Sequence, residues 1–200
     1  TDGIRILKQS IDGQSFAYRS SHGRWYEKIE IPLLGEHQIY NAAVALEALE
    51  VIKNCYCISE FQTEEGFRKT VWRGRLELLE RKPLILCDGA HNPDGAKYLT
   101  KFLQNNFTNR RIIYIMGVLA DKDYEKMIAL TAKQADCIYT VAPDNARALP
   151  SKELAKVIRK YHSNVYERDR LASCLKEVKE KALDDDVIVI FGTLSFQNEL

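Results

Sequence analysis

The rhythm of hydrophobic and polar positions changes near residue 80. Before it, segments 3–8, 14–20 and 24–31 alternate apolar with polar residues and stop at Gly- or Ser-rich breaks. That is the pattern of antiparallel strands or hairpins. Residues 37–52 drop the alternation. Ala42, Ala43, Ala45, Leu46, Ala48, Leu49 and Ile52 predict a helix that is apolar nearly all round, and therefore buried. A second, amphipathic helix is predicted over 59–71, with Ser59 as its N-cap and Phe61, Phe67 and Val71 as its apolar stripe. Gly74 interrupts that pattern. The charged stretch 73–82 reads as a linker or a crossing strand between two domains.

From Pro83 onward short Val/Ile/Leu-rich runs alternate with amphipathic segments. Strands are predicted at 84–87, 111–116, 137–142, 164–167 and 187–191. Helices are predicted at 93–105, about 122–135, 151–162 and 170–182, with Ser151 after Pro150 a good helix start and a final turn or helix after 191. This order predicts an α/β fold: a Rossmann-like, mostly parallel sheet with helices on both faces over residues 83–200. Asp184-Asp185-Asp186 reads as a solvated turn.

Two hundred residues allow one ordinary domain or parts of two. A hydrophobic content of 46% and a charged content of 28% belong to a globular chain with a normal core. The net charge of +1 argues against a strong electrostatic commitment to nucleic acid or to an anionic membrane, though not against a local basic pocket. No apolar run reaches the roughly 18 residues of a membrane span, and the first residues lack a signal-peptide profile. Five cysteines at scattered spacings make neither a disulfide framework nor a zinc pattern, and Cys55-Tyr56-Cys57 is too close for a metal knuckle. Cys87 and Cys137 sit in apolar runs and read as buried thiols of a reducing compartment, which points to the cytoplasm.

The candidate chemistry gathers at predicted strand ends, where ligands of open α/β sheets bind. Residues 88–95, Asp-Gly-Ala-His-Asn-Pro-Asp-Gly, follow the apolar run 84–87 and open a helix. They supply a carboxylate, an imidazole, an amide and a helix N-terminus at one place. Asp88 suits a ribose diol or an exocyclic amine, and equally an Asx-turn for the next helix. His91 can donate to a phosphate or carboxylate, and Asn92 stands beside it at the helix start. The guanidinium of Arg75 suits bidentate phosphate binding, and its bland alternative is a solvent-facing charge. Gln38 and Asn41, three apart on one helix face, can read an adenine edge or serve capping and packing. Lys122, Arg147 and Thr193 add polar groups at three further strand ends. The chain contains no G-x-x-x-x-G-K-[ST] loop, no G-x-G-x-x-G fingerprint, no G-x-S-x-G nucleophile, no HExxH and no paired histidines, so no metal site is expected among these residues.

Gly35-Glu36-His37-Gln38 with Asn41-Ala42-Ala43, Gly74-Arg75-Leu76-Glu77 and Asp88-Gly89-Ala90-His91-Asn92-Pro93, in that order and spacing, resemble the folylpolyglutamate synthase / dihydrofolate synthase family of the Mur ligase superfamily. Gly117 to Asp123 and the Arg147-Ala148-Leu149 loop resemble it too. The resemblance implies that residues 1–72 are the tail of a Mur-type ATPase domain, that 73–82 are the linker, and that 83–200 are the C-terminal Rossmann-like domain. It implies ATP-dependent amide formation, in which a folate or dihydropteroate carboxylate is phosphorylated and L-glutamate attacks the acyl phosphate. Asn41 and Gln38 would then face adenine, Arg75 a nucleotide phosphate, Asp88 the ribose or the linker geometry, and His91 the phosphates or the incoming glutamate, as the catalytic residue. Asn92, Lys122, Arg147 and Thr193 would lie on the glutamate side. The Mg²⁺ ligands and the phosphate loop are expected on a preceding part of a longer ligase, monomeric when complete, so this portion is expected to be inactive alone. The opening Thr1 and the unpartnered strands over 1–30 favour such a portion. Two alternatives stay open: a portion of a Mur peptide ligase of cell-wall synthesis, and a non-catalytic nucleotide- or amino-acid-binding module.

Overall fold

A computed structural model describes residues 3–200. Thr1 and Asp2, which open the first expected domain, lie outside the described residues. The chain divides into two compact units, one ending at Trp72 and one beginning at Arg73.

In the first unit β1 (Ile4–Ser10), β2 (Gly13–Arg19) and β3 (Trp25–Ile31) form an antiparallel sheet in sequence order. Helices α1 (Glu36–Tyr56) and α2 (Glu60–Arg68) follow. Phe16, Tyr26, Ile29 and Ile31 from the sheet pack with Ile39, Ala42 and Leu46 of α1 and with Phe67 of α2. The three expected strands are therefore present, but both helices differ from the reading of their apolar residues. α1 buries one stripe only, and Val44, Ala45, Ala48, Val51 and Ile52 are exposed. In α2 only Phe67 is buried. Phe61 and Val71 are exposed, the helix ending before Val71 is reached. Ser59 does cap α2: its hydroxyl accepts from Gln62 N at 3.2 Å while the Gln62 side chain accepts from Ser59 N at 2.9 Å, a reciprocal capping box.

Glu47 of α1 fastens the β2–β3 turn. Its carboxylate accepts from Tyr18 Oη at 2.5 Å, Ser21 Oγ at 2.6 Å and Ser21 N at 2.8 Å. These donors, the Ser21 hydroxyl first, favour the ionised form and hold the carboxyl at about 2, below its ordinary 4.5.

The second unit carries a six-stranded sheet in the order β4-β5-β9-β6-β7-β8. Its strands are β4 (Glu77–Arg81), β5 (Leu84–Asp88), β6 (Ile112–Met116), β7 (Cys137–Thr140), β8 (Val165–Glu167) and β9 (Val187–Phe191). Every neighbouring pair from β5 to β8 is parallel, and only β4 runs antiparallel. All residues of β5, β6, β7 and β9 are buried, as continuous apolar runs with helices on both faces require. On one face Ile85, Ile113, Ile115, Ile188 and Ile190 pack with Leu171, Cys174 and Val178 of α6 (Leu171–Lys181). On the other, Tyr114 bonds Gln134, which bonds the Thr100 carbonyl of α3 (Pro93–Asn106). Helices α4 (Tyr124–Thr131) and α5 (Ser151–Ile158) complete the unit.

Two readings change here. Residues 73–82 belong to this unit, and 77–81 are its antiparallel edge strand, because Glu77 to Arg81 pair with the backbone of β5. The acidic run 184–186 is not wholly solvated. Asp186 is buried, accepts from Leu183 N at 2.8 Å and pairs with Arg111 at 3.4 Å, so it closes the loop into β9. Cys87, Cys137 and Cys174 are buried thiols, whereas Cys55 and Cys57 are exposed.

Glu47 has a folded-state pKa below its unfolded value, so its contribution is complete above about pH 4.5 and is lost as the pH falls toward 2. Glu47→Gln is expected to remove that acid-sensitive component, read as a flatter dependence of melting temperature on pH in this range. Gly66 lies inside α2 with open space where a β-carbon would stand. Gly66→Ala is expected to stabilise the protein by about 0.5–1 kcal/mol in denaturant unfolding.

Candidate functional site

The carboxyl ends of β5, β9 and β6 lie side by side. Helix α3 leaves β5 on the Tyr114 face, while the 3₁₀ turn Leu194–Asn198 leaves β9 on the α6 face, with Phe196 packed there. Adjacent strands whose connections depart to opposite faces open a crevice at their carboxyl ends.

Asp88 ends β5 with 8% of its surface exposed. Its Oδ2 accepts from Leu76 N at 2.8 Å and its Oδ1 from Ala90 N at 2.8 Å. Gly89 N donates to Gly74 O at 2.6 Å, and Gly74 N donates to Glu77 Oε2 at 2.7 Å. One carboxylate thus ties the Arg73–Leu76 loop to the start of the 89–92 loop. Burial pushes the Asp88 carboxyl above its ordinary range, against the pull of its two backbone donors, Arg75 and His91. The loop needs this hold because Gly74 (φ +64°) and Leu76 (φ +48°) are both left-handed, a conformation that costs a side chain such as leucine energy. Arg75 lies between them, half-buried.

His91 Nδ1 lies 2.8 Å from Gly89 O. A carbonyl only accepts, so the proton sits on Nδ1 and Nε2 is left for a ligand. Asn92 caps α3, its Oδ1 accepting from Gly95 N at 2.8 Å with Pro93 in the first turn.

Two further strand-end loops join each other. Leu119 and Ala148 form an antiparallel bridge, flanked by Ala120 N to Arg147 O at 2.8 Å and Leu149 N to Val118 O at 2.9 Å. This brings Lys122 and Arg147 to one carboxylate: Asp121 Oδ2 lies 3.5 Å from Lys122 Nζ and 3.3 Å from Arg147 Nη1.

The expected site residues therefore separate by what their polar atoms do. His91 offers Nε2, and Lys122 and Arg147 form a cationic pair around Asp121. Thr193 is 4% exposed, and its hydroxyl accepts from Ser195 N at 3.1 Å, so it caps the following turn rather than facing a ligand. The Asn92 carbonyl oxygen is likewise spent on a cap. In the first unit Gln38 is 2% exposed, accepting from Asn41 Nδ2 at 3.0 Å with its own amide nitrogen 3.1 Å from His37 Nε2. Burial removes Gln38 from direct contact and makes it the support of Asn41, which is exposed. Sequence reading missed Asp121, although the Asp-Lys-Asp run at a strand end marked it, and missed Glu77, whose partner Gly74 N is a main-chain group, and Gln197, whose side chain donates to Arg73 O. Among the described residues no three His, Cys, Asp or Glu side chains are grouped to hold a metal ion, and no helix is long and apolar enough to cross a membrane.

Residues 74–194 match the family model described as Mur ligase, glutamate ligase domain. The chain is 30% identical over 190 residues to a dihydrofolate synthase/folylpolyglutamate synthase of Bacillus subtilis, covering 94% of this chain and 44% of that protein. It is 33% identical over 185 residues to a folylpolyglutamate synthase of Lacticaseibacillus casei, covering 91% of this chain and 41% of that one. A Mycobacterium tuberculosis folylpolyglutamate synthase solved with ADP and AMPPCP superposes on 98% of this chain and 46% of its own, with a TM-score of 0.80 at 26% identity. A Thermotoga maritima folylpolyglutamate synthase shares the fold, with a TM-score of 0.82 at 23% identity. The chain thus spans less than half the length of these relatives.

Asp88→Asn leaves one acceptor where two backbone donors converge, so one buried N–H loses its partner. A destabilisation of about 1–3 kcal/mol in denaturant unfolding is expected. Unchanged stability would show that Asp88 does not hold the two loops.

Proposed function

Since the chain belongs to the Mur ligase family and carries its glutamate ligase domain across residues 74–194, we propose that it is the glutamate-side portion of an ATP-dependent ligase that joins L-glutamate to a folate or dihydropteroate carboxylate. The observation that carries this reading is the pairing of His91, whose Nε2 is open to a ligand, with the Lys122–Asp121–Arg147 group at the same end of the sheet. Cations there suit the carboxylates of glutamate. The solved Mycobacterium tuberculosis relative complexed with ADP and AMPPCP and the relatives named for folylpolyglutamate synthesis support the substrate class.

In this reading ATP phosphorylates the acceptor carboxylate and the amine of glutamate attacks the acyl phosphate. The new C–N bond forms as the C–O bond to phosphate breaks, phosphate departs with the electron pair, and the amine sheds a proton. With Nδ1–H committed to Gly89 O, Nε2 of His91 can take that proton or, once charged, donate to a phosphate oxygen. Arg75 serves a nucleotide phosphate, and Asn41 presents its exposed amide to adenine. Asp88 acts by shaping the loops that carry Arg75 and His91. Mg²⁺ would neutralise the phosphates, and the described residues of this chain offer it no ligand cluster. A cytoplasmic location fits the three buried free thiols.

The full gene product carrying this chain is expected to release ADP in a glutamate-dependent way with a folate or dihydropteroate acceptor. His91→Ala is expected to lower kcat by about 10²-fold or more without loss of fold. Turnover only with a UDP-muramyl acceptor would replace the folate reading with the cell-wall one, and wild-type turnover by His91→Ala would remove His91 from the chemistry. Titration calorimetry of the 200-residue chain with ATP and with L-glutamate separately is expected to show weak binding at most.

A further inference from the structure

The 3₁₀ turn Leu194–Asn198 touches each of the strand-end loops described in the site. Gln197 Nε2 donates to Arg73 O at 2.6 Å, and its side chain lies where a β-carbon on Gly74 would stand. Leu194 occupies the same place over Gly89, and Phe196 Cζ lies 2.6 Å from the β-carbon position of Gly117. Ser195 Oγ accepts from Asn145 Nδ2 at 3.3 Å. Just past the turn, Glu199 Oε1 accepts from Asp144 N at 3.0 Å. Thr193 caps the turn from its start. The glycines at positions 74, 89 and 117 thus make room for three side chains of one short element, Gln197, Leu194 and Phe196. The loops reached are those bearing Arg75, His91, Lys122 and Arg147.

We propose that this turn is the positioning element of the site, with Gln197 setting the Arg75 loop and Glu199, two residues on, setting the Arg147 loop. The proposal rests on the ligase reading for which substrate each loop serves, but not for the mechanical tie. Neither Gln197 nor Glu199 touches substrate in it. Each acts through the backbone it holds. Gln197 fixes the carbonyl that precedes Gly74 and so the left-handed course of residues 74–76. Glu199 fixes the amide that begins the 144–149 segment, whose own turn is held by Asn145 Oδ1 accepting from Arg147 N at 2.9 Å.

The two ties can be cut separately. Gln197→Glu keeps the volume but loses the donor, and Glu199→Ala loses the acceptor, whereas Glu199→Gln keeps one. In the full gene product, Gln197→Glu is expected to raise the KM for ATP roughly three- to tenfold with the KM for glutamate nearly unchanged, and Glu199→Ala to do the reverse, as the loss of one hydrogen bond implies. Glu199→Gln is expected to restore most of the loss. Equal changes in both KM values for each variant, or kcat losses that follow melting temperature alone, would reduce the turn to general stability and overturn the proposal. Amide hydrogen exchange supplies a readout that needs no activity. Faster exchange confined to Gly74, Leu76 and Gly89 in Gln197→Glu, and to 144–148 in Glu199→Ala, supports the tie, and unchanged or uniform exchange refutes it. An inactive wild type with these selective exchange changes would sink the ligase reading and leave the positioning element standing.

Discussion

Asp88 is the residue on which the geometry of the second unit's site depends. A buried carboxylate is expensive unless its lone pairs are met. Here two backbone N–H groups meet them, from Leu76 twelve positions earlier and Ala90 two positions later. Because the donors lie on different loops, satisfying the charge and shaping the site are one event. The left-handed backbone at Gly74 and Leu76, the place of half-buried Arg75 on that bend, and the carbonyl of Gly89 that fixes the His91 tautomer all follow from it. The residue most tempting as a ligand contact is thereby also the one that holds two loops together.

The same economy recurs around the sheet end. Asn92 and Thr193 spend their oxygens on caps. In the first unit, taken by itself, Gln38 is enclosed and holds Asn41. The imidazole nitrogen of His91 and the two cations sharing Asp121 make a different set. Lys122 and Arg147 come together because their loops bridge through main-chain bonds at Leu119 and Ala148, so the approach of like charges is offset by the carboxylate between them.

Much of this was legible from the residues. The switch from alternating segments to buried runs separated by amphipathic helices foretold the parallel sheet, since strands covered on both faces carry little else than Val, Ile and Leu. The octapeptide after β5 marked a strand end correctly. The misreadings share one cause. Pattern reports which residues are apolar or polar, not which partner they meet. The alanine-rich α1 looked buried all round, yet one stripe of it meets the sheet, and Val44 and Val51 stand exposed. Asp186 looked like one more acid in a solvated run until Arg111 and Leu183 were seen to enclose it. The roles of Gln197 and Glu199 were invisible for the same reason, their partners being main-chain groups far away in sequence.

The strand order β5-β9-β6 sets a timetable for biosynthesis. β9 is the last strand made in this unit, and it occupies the middle of the sheet, hydrogen-bonded on both sides to strands completed at least 70 residues earlier. Until residues 187–191 emerge, β5 and β6 present inner edges with no strand between them, each a template for wrong pairing. The nascent chain thus passes through a stage in which most of its hydrophobic strands exist and the sheet does not. Slow, non-local closure of that kind is where parallel α/β chains are most exposed to aggregation and most dependent on holding factors at the ribosome.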